Sequence, residues 1–302
     1  MAKNVNNKSE IMKGKICMIT GANSGIGKAT AIGLAKLGAI LVLVCRDQAR
    51  AEKSIAEIKE KTGIDSIDII LADLSSQKDI HNLVLESKKK YDTLNVLINN
   101  AGVNLNKHTL TEDGIETTFA VNYLAQFMLS ILYFDILKKS APARIVNVAS
   151  SVQAKSIDFD NLNGEKHFSQ LKAYAQSKLA VVLFTYEFAK KAIGTGVSVN
   201  CLHPGYVKTN MIRNFRPFVK YFYHLVGLFM ISPKRGAKTS IYLASTSDID
   251  GASGKYFKKR RETKSVKISY DATVSKQLWD VSVKLTKVNF KSNVSQLIEN
   301  KT

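Results

Sequence analysis

The sequence predicts an α/β protein with a doubly wound parallel sheet of about seven strands and helices on both faces. Short, mostly apolar runs alternate with longer stretches of helical periodicity through most of the chain. Strands that are buried on both faces are apolar throughout, and repeated strand–helix units with right-handed crossovers give this architecture. Nothing in the sequence marks a linker or an internal repeat. We therefore expect residues 1–302 to form a single domain, with flexible ends at 1–13 and at about 288–302.

The predicted elements follow one another in regular order. Strands are expected at 15–20, 40–45, 66–71, 94–98, 144–149, 197–202 and 254–257. Helices are expected near 25–37, 48–62, 76–91, 115–138, 169–192 and 234–245. Ligands of such sheets bind at the carboxyl ends of the strands, so the residues that follow the strands are the candidates for a site.

Composition and charge limit the kind of partner. A hydrophobic content of 45% in 302 residues supports a substantial core and argues against global disorder. The 44 basic and 25 acidic residues give a net charge of +19. This excess favours an anionic partner: a phosphorylated cofactor, an acidic membrane surface or nucleic acid. Because no basic patch is interleaved with aromatic residues, we expect no nucleic-acid partner.

The cysteines and the apolar runs indicate a compartment. Cys17, Cys45 and Cys201 all lie in predicted strands, which fits buried free thiols in a reducing environment better than a disulfide or a metal site. No apolar run approaches the roughly 18 residues of a membrane span. Met1–Lys15 is polar and lacks the apolar core of a signal peptide. We expect a cytoplasmic protein without a bound metal, with peripheral membrane contact as an alternative.

The stretch from Ile16 to Gly27 is the clearest candidate binding element. An apolar strand leads into a glycine-rich turn, and a helical pattern follows. Such glycines let the backbone approach a pyrophosphate, and the helix N-terminus offers free N–H groups. The spacing is G-x-x-x-G-x-G rather than the dinucleotide fingerprint G-x-G-x-x-G, so a tight turn before a buried helix is the alternative. In a Rossmann-type fold, the expected contacts are Gly21, Asn23, Ser24, Gly25, Ile26 and Gly27.

The end of the second strand bears on the choice of cofactor. Arg46 lies 19 positions beyond Gly27, where an acid would hold the free 2′-hydroxyl of NAD and an arginine accommodates the 2′-phosphate of NADP. Arg46 therefore predicts NADP, with NADPH preferred over NADH. Asp47 is the complication, because a small register error would reverse the preference. Alternatively, both residues simply open the next helix on the surface.

Polar residues also follow the third and fourth strands. Asp73, with Leu74 beside it, stands at a strand end, where its carboxylate can accept from an adenine amino group. It could equally begin the next helix, because two serines follow it. The stretch Asn100-Ala101-Gly102 comes directly after an apolar strand. It suits a backbone that packs against the first turn and the cofactor, with a plain turn as the alternative.

Four stretches together resemble the short-chain dehydrogenase/reductase family, and they occur in its order. They are Thr20–Gly27, Asn99–Gly102, Ser150 and the Tyr174-Ala-Gln-Ser-Lys178 motif. The resemblance continues through Asn122 and through His203–Thr209. Three further stretches resemble the retinol dehydrogenase-like branch: 159–166, 254–257 and 278–282. About 275 residues are covered, from 14 to 287. Many animal members carry an apolar anchor at the amino terminus. Because Met1–Lys15 is polar, we expect no integral membrane residence here.

The resemblance implies a catalytic set of Ser150, Tyr174, Lys178 and Asn122. Tyr174 and Lys178 are spaced i, i+4, so both project from one face of a helix. A phenol near pKa 10 is a poor acid–base catalyst at neutral pH, and a nearby ammonium favours its phenolate. A shift of about three units requires roughly 4 kcal/mol of differential stabilisation. Ser150, with Ser151 as its rival, would steady the substrate oxygen. Asn122 would hold a proton-relay water beside the lysine, and the tyrosine and lysine would also contact the cofactor.

The resemblance also implies contacts to the nicotinamide amide and the phosphates from Pro204, Gly205, Val207 and Thr209. His203 precedes this turn, and we interpret it as structural. Residues 210–231 are aromatic and basic, with an internal proline. In this family the segment covers the substrate, so its composition indicates an apolar substrate under a lid. Contact with a membrane interface and packing in a homodimer are the alternatives.

Taken together, these residues predict an NADP-dependent oxidoreductase that interconverts a carbonyl and an alcohol on an apolar, retinoid-like substrate. A sterol or cyclic-ketone reductase is the alternative within enzymes. A non-catalytic NADP-sensing protein is the alternative from another class, although a sensor has no need of the Tyr174–Lys178 pair.

Overall fold

A computed structural model describes residues 10–208 and 230–290 and has an eight-stranded sheet in the order β3-β2-β1-β4-β5-β6-β7-β8. The strands are β1 Ile16–Thr20, β2 Ile40–Cys45, β3 Ile67–Leu71, β4 Val96–Asn99, β5 Ala143–Val148, β6 Val197–His203, β7 Tyr256–Lys258 and β8 Arg261–Glu262. The first seven strands pair in parallel. The predicted fold class is confirmed, and the short antiparallel edge strand β8 was not predicted.

Helices cover both faces of the sheet. They are α1 Gly25–Ala35, α2 Gln48–Thr62, α3 Gln77–Lys90, α4 Thr117–Phe119, α5 Ala125–Leu132, α6 Phe134–Lys139, α7 Gln170–Lys191, α8 Pro233–Ser245 and α9 Ala272–Thr286. Residues of α1, α2 and α8 share one core cluster, which includes Leu34, Ile58 and Leu243. Residues of α3, α5, α7 and α9 share the other. The apolar strands are therefore buried on both faces, as their sequences indicate.

The strand order places the site. β1 pairs with β2 on one side and with β4 on the other, so the connections that leave these neighbours run in opposite directions. A crevice opens at the carboxyl ends of strands around such a reversal. Thr20, Cys45, Asn99, Val148 and His203 end their strands at this edge. The residues that follow them are the candidates from the sequence.

The helix predicted at 115–138 is broken into four pieces. The short helix α4 is followed by a π-helical segment, Ala120–Leu124, and then by α5 and α6. The break centres on Asn122, whose side chain bonds the backbone of Val103. Periodicity within the segment cannot reveal a bond to a residue 19 positions away, and π-helical turns often occur at functional sites.

Helix α9 was not predicted at all, yet it completes the core beneath α7. Trp279 lies with its ring centroid 5.2 Å from that of Phe127 and 6.1 Å from that of Phe184. The Lys191 ammonium lies 4.6 Å from the Trp279 ring centroid. The aromatic cluster continues to Phe290, which packs edge-on against Phe134 at 4.9 Å.

A few residues at each end of the chain are packed although they lie within the ranges predicted to be flexible. Met12 is buried, and its N–H donates to the Leu37 carbonyl at 2.8 Å. Val288 is buried as well, and Phe290 joins the aromatic cluster. These apolar side chains stand in polar surroundings in the sequence, so composition alone did not reveal their packing. The remaining terminal residues, 1–9 and 291–302, lie outside the described part of the chain.

The three cysteines are buried and free, as predicted. Burial raises the pKa of the Cys17 and Cys201 thiols to about 12 each and that of Cys45 to about 11. Across residues 10–208 and 230–290, the helices are all too short or too polar to span a bilayer.

Trp279→Ala tests the contribution of α9 to stability. Truncating a buried tryptophan removes its aromatic contacts and leaves a cavity, so we expect a loss of about 3–5 kcal/mol in the free energy of unfolding. Urea titration followed by circular dichroism measures it. The exposed neighbour Gln277→Ala is the matched control and should change the free energy by less than about 0.5 kcal/mol. Equal effects of the two substitutions would show that α9 adds little to the core.

Candidate active site

The turn after β1 requires glycine for two different reasons. Gly21 and Gly25 have φ of 65° and 55°, in the left-handed region that favours glycine. Gly27 has an ordinary φ, but a Cβ at this position would collide with the carbonyl oxygen of Gly21 and the side-chain amide of Asn100. The turn is therefore folded closely on itself where α1 begins.

The N-terminus of α1 has no side-chain cap, a feature that it shares with α7. Its N-cap residue, Ser24, makes no capping hydrogen bond, and its first turn contains no acidic residue. In contrast, side chains cap α2, α3, α8 and α9. The uncapped N–H groups and the positive end of the helix dipole suit an anion. This cradle of bare backbone fits the pyrophosphate of a dinucleotide.

A buried threonine joins the glycine turn to the end of β4. The Thr20 hydroxyl accepts from the backbone N–H groups of Asn100 and Ala101, both at 2.9 Å. The Asn100 amide donates to the carbonyl oxygens of Thr20 at 2.8 Å and Gly21 at 3.3 Å. A Cβ on Gly21 would lie 2.9 Å from Cα of Ala101. The predicted contact between these two loops is present, and Thr20 is the residue whose linking role the sequence analysis missed.

The two candidate ribose-binding residues at the end of β2 have different surroundings. The Arg46 side chain is 74% exposed, and its guanidinium lies 3.4 Å from the Asp73 carboxylate. The Asp47 carboxylate accepts from the Arg50 N–H at 2.9 Å and caps α2. Asp47 is thus occupied in the fold, whereas the Arg46 side chain is exposed beside Asp73 at the carboxyl edge of the sheet.

Asp73 is held in its ionised form by its neighbours. Partial burial would raise its pKa, but hydrogen bonds from the N–H and hydroxyl of Ser75 and the charge of Arg46 outweigh that effect and lower it. Both Ser75 bonds reach the same carboxylate oxygen, at 2.9 and 2.7 Å. Leu74, which lies between Asp73 and Ser75 in the sequence, packs against the core on the α7 face. The carboxylate is an available acceptor at the sheet edge.

Ser150 follows β5 and is fixed by its own loop. Its hydroxyl accepts from the Val152 N–H at 3.0 Å. Its carbonyl accepts from the Tyr256 hydroxyl at 3.0 Å and the Gln153 amide at 2.7 Å. The hydroxyl of the alternative candidate, Ser151, lies 3.3 Å from the hydroxyl of Tyr206. The two serines therefore have different surroundings, and only the backbone of Ser150 is anchored to β7.

Lys178 is a buried cation on the third turn of α7. It is 3% exposed, and its ammonium donates to the Val148 carbonyl at 2.9 Å. The same ammonium lies 5.8 Å from the ring centroid of Tyr174, one helical turn earlier. Burial lowers its pKa from 10.5 to about 8, so it remains mainly protonated at neutral pH. The i, i+4 pair predicted from spacing alone lies on one face of α7, as expected.

Asn122 and Gly102 close the site from the β4 side. The Asn122 amide donates to the Val103 carbonyl and the Ser177 hydroxyl, both at 3.0 Å, and its oxygen accepts from the Val103 N–H at 2.7 Å. A Cβ on Gly102 would lie 3.1 Å from the Asn122 oxygen and 3.7 Å from the Lys178 ammonium. Four separate stretches of sequence thus meet around Lys178. The support from Ser177 and from the Val148 carbonyl was not foreseen, because neither has a signal in the sequence.

The turn after β6 borders the same crevice. Gly205 has φ of 99°, and Val207 forms a bridge with Ile231 beside the start of α8. A Cβ built on Gly236 would collide with a Val207 methyl at 2.6 Å and would lie 3.4 Å from Ile26, at the start of α1. Pro204 is partly buried in this turn. Thr209 and nearly all of the predicted lid fall at 209–229, outside the described residues.

His203 is buried at the end of β6. Its Nδ1 accepts from the Ser151 N–H at 3.1 Å. Burial, and then the charge of Lys258, lowers its pKa to about 4, so the ring is neutral at physiological pH. A neutral ring that holds a backbone N–H fits the structural role that the sequence analysis gave it.

The glycine turn, the sheet edge and the buried Lys178 beside Tyr174 define a dinucleotide-binding α/β protein. Residues 15–220 match the short chain dehydrogenase family. The chain is 40% identical to retinol dehydrogenase 14 of Homo sapiens over 289 residues, which cover 90% of this chain and 86% of that protein. It is 38% identical to retinol dehydrogenase 11 of Homo sapiens over 275 residues, with coverage of 91% and 86%. A solved structure from Mycobacterium paratuberculosis, of an uncharacterized protein, has a TM-score of 0.74 at 27% identity and covers 92% of this chain and 95% of that one.

The chain therefore belongs to the short-chain dehydrogenase family and is retinol dehydrogenase-like. It is an oxidoreductase that acts on CH–OH groups, interconverts alcohol and carbonyl, and uses NAD(P). The resemblance inferred from the ordered motifs is confirmed.

The lowered pKa of Lys178 predicts how stability depends on pH. Between pH 8 and 10.5 the unfolded chain holds a proton that the folded chain has lost. The free energy of unfolding should therefore rise with pH across this window, by up to about 3 kcal/mol. Urea titrations of the ligand-free protein at pH 8 and pH 10 measure the change. Lys178→Met is the reference, because other titrating groups act in both proteins. An equal change in the free energy of unfolding between pH 8 and pH 10 in the unmodified protein and in Lys178→Met would contradict the prediction.

Proposed function

We propose that this protein is an NADPH-dependent reductase of apolar aldehydes or ketones, with Ser150, Tyr174 and Lys178 as its catalytic residues and Asn122 as a positioning residue. The observation that carries the proposal is the buried Lys178 ammonium, which lies beside Tyr174 and within reach of the loop at Gly102. A charge this deep in the protein is costly to desolvate, and groups buried at such a cost are typical of functional sites. Residues 1–302 act as one domain in this proposal.

Tyr174 is the proton donor in this mechanism. Its hydroxyl gives a proton to the substrate carbonyl oxygen, and the positive charge of Lys178 stabilises the phenolate that remains. The Ser150 hydroxyl donates a hydrogen bond to the same oxygen, which holds the carbonyl in place and stabilises developing negative charge. Bound NADPH supplies the hydride that reduces the carbonyl carbon. In the reverse direction Tyr174 accepts the proton from the alcohol.

Asn122 acts through the backbone of the β4 loop. With both its amide oxygen and its amide nitrogen bonded to Val103, it fixes the chain next to Gly102 and Lys178. Its position in the π-helical segment, not on a regular helix, directs the amide to that backbone. A water held here would connect the lysine ammonium to solvent and restore the proton that Tyr174 gives up. The role of Asn122 is to keep this route open.

The cofactor is gripped at both ends of the crevice. Around the pyrophosphate, the turn after β1 would supply Gly21, Asn23, Ser24, Gly25, Ile26 and Gly27, and near the adenine the end of β3 would supply Asp73 and Leu74. The loop after β4 would contribute Asn100, Ala101 and Gly102 to the middle of the cofactor. The nicotinamide half would be held by Tyr174, Lys178, Pro204, Gly205, Val207 and Thr209.

NADP is favoured over NAD because of how the β2 end is folded. The Arg46 guanidinium is exposed at the end of β2, where a ribose 2′-phosphate would add charge-assisted hydrogen bonds. Asp47, the residue that could bind the free 2′-hydroxyl of NAD, is occupied by capping α2.

Arg46→Ala tests this selectivity. Loss of the charged hydrogen bonds to the 2′-phosphate should weaken NADPH binding about 10- to 100-fold and leave NADH binding unchanged. Fluorescence titration of the purified protein with each nucleotide measures both affinities. Arg50→Ala, one turn into α2, removes the same charge from an exposed position and should alter neither affinity. A stronger preference for NADH in the unmodified protein would assign the ribose to Asp47 instead.

The substrate class rests on two supports. The relatives at 38–42% identity are named retinol dehydrogenases, and a retinoid is an apolar molecule with a terminal alcohol or aldehyde. The aromatic composition of residues 210–231 suits a lid over such a molecule. A sterol or another cyclic ketone has the same apolar character, and comparing turnover of retinaldehyde with that of cyclic ketones separates the two.

The cellular setting follows from the same features. We infer a cytoplasmic protein that meets its substrate as a small molecule and contacts membranes peripherally through residues 210–231. A homodimer fits the apolar content of that segment as well. We propose no nucleic-acid partner.

Tyr174→Phe separates an enzyme from an NADP sensor. Removing only the proton donor should lower turnover of an aldehyde by about 10²- to 10⁴-fold, while NADPH affinity stays within a factor of about two. Absorbance at 340 nm reports turnover, and fluorescence titration reports binding. Tyr270→Phe, a surface tyrosine packed on the far part of α7, is the control and should keep turnover. Binding of NADPH without turnover of any carbonyl by the unmodified protein would favour the sensor.

A further inference from the structure

The hairpin of β7 and β8 carries four consecutive cations: Lys258, Lys259, Arg260 and Arg261. All four are exposed, and no carboxylate of the described residues lies within ion-pairing distance of them. The nearest ion pair of the hairpin joins Lys255 to Glu262 at its base, at 3.0 Å. The lysine run Lys88–Lys90 behaves differently, because each of its members pairs with an acid. The hairpin charges are thus left for an outside partner.

The turn geometry shows that cations are kept at the tip against local backbone preference. Phe257 pairs with Glu262 and Lys258 with Arg261, which leaves a two-residue loop. Its residues, Lys259 and Arg260, have φ of 53° and 64°. Loops of this type strongly prefer Asn-Gly, because L-residues with larger side chains are strained at positive φ. The sequence therefore accepts backbone strain at the two positions that project furthest.

The hairpin lies at the same edge of the sheet as the candidate active site. β7 runs parallel to β6, and Lys258 lies opposite His203 in the register. The chain leaves β6 through Pro204 and Gly205, next to the hairpin tip. Tyr206, 65% exposed, lies in the same turn, with its ring centroid 5.6 Å from that of His203. An exposed tyrosine beside clustered cations is typical of a surface that meets a membrane interface.

We propose that the β7–β8 hairpin, residues 258–261, binds an anionic lipid bilayer and turns the carboxyl edge of the sheet towards it. The unpaired cations supply attraction to acidic headgroups, and Tyr206 supplies an amphipathic ring at the same level. The benefit to catalysis rests on the proposed function, since an apolar substrate would then enter from the bilayer without crossing water. The binding itself does not depend on catalysis.

The test replaces the strained tip with the residues its geometry prefers. The double variant Lys259→Asn, Arg260→Gly removes two cations and relieves two positive φ angles. We expect affinity for phosphatidylserine-containing vesicles at low salt to fall about 25-fold, roughly fivefold for each cation removed. The midpoint of thermal unfolding should rise. Vesicle co-sedimentation measures the first quantity and calorimetry the second. Weaker binding by a more stable protein is an outcome that damage to the fold cannot produce.

A matched control removes the same charge from the opposite edge. Lys138 and Lys139 are exposed at the end of α6, just before β5 begins, and have no ion pair within the described residues. Lys138→Gln, Lys139→Gln should bind these vesicles within a factor of about two of the unmodified protein. An equal loss of vesicle affinity in both variants would show that only net charge matters and would overturn the proposal. Unchanged binding by the hairpin variant would overturn it as well. So would binding of the unmodified protein to vesicles of phosphatidylcholine alone with the same affinity.

Turnover of a short, water-soluble aldehyde keeps the two proposals apart. The hairpin variant should retain it, because no residue it changes belongs to the catalytic set. Vesicle binding by a protein that turns over no carbonyl would refute the proposed function and leave the membrane surface standing.

Discussion

The site depends on how closely the first and fourth strands end beside each other. The buried hydroxyl of Thr20 accepts two backbone N–H groups from the loop after β4, and the Asn100 amide returns two bonds to the glycine turn. Side chains at positions 21 and 27 would have no room in this arrangement. The contact that spaces the loops for a dinucleotide therefore also requires the glycines, and it brings Gly102 beside Lys178. The proposed cofactor site and the proposed catalytic site therefore depend on the same contact between the loops after β1 and β4.

Buried hydrogen bonds tie the helix that carries Lys178 to the central strands. The lysine bonds the last carbonyl of β5, and two turns further along α7 Thr185 accepts from the Asn147 amide at 3.0 Å. Asn147 in turn accepts from Asn99 on β4 at 2.9 Å. Helix α7 is thus tied to the central strands by hydrogen bonds as well as by apolar packing. These buried hydrogen bonds favour one arrangement over others, so they help to fix the α7 face that carries Tyr174 and Lys178 relative to the strand ends.

Much of this arrangement could be predicted from local sequence, and what could not has a common cause. The strands are apolar runs, and the i, i+4 spacing puts Tyr174 and Lys178 on one face, so periodicity was sufficient for both. The π-helical break at Asn122 is set by Val103, a residue distant in sequence, and no local pattern records it. Helix α9 has five β-branched residues among its fifteen, which weakens its helical signal. Its formation follows from the aromatic contacts of Trp279 with α5 and α7.

The ambiguity between Arg46 and Asp47 shows how helix capping can determine specificity. Adjacent in sequence, the two residues offer opposite charges to the same ribose, and the sequence alone could not choose between them. The fold assigns Asp47 to the N-terminus of α2, where its carboxylate satisfies a free N–H and complements the helix dipole. Turning it to a ribose would forfeit that cap at a cost of about 1 kcal/mol, which is the basis of the proposed discrimination against NAD. Arg46 has no such task, because its contact with Asp73 is long and exposed. The NADP selectivity that we propose would then arise from the need of α2 for a cap as much as from the arginine itself.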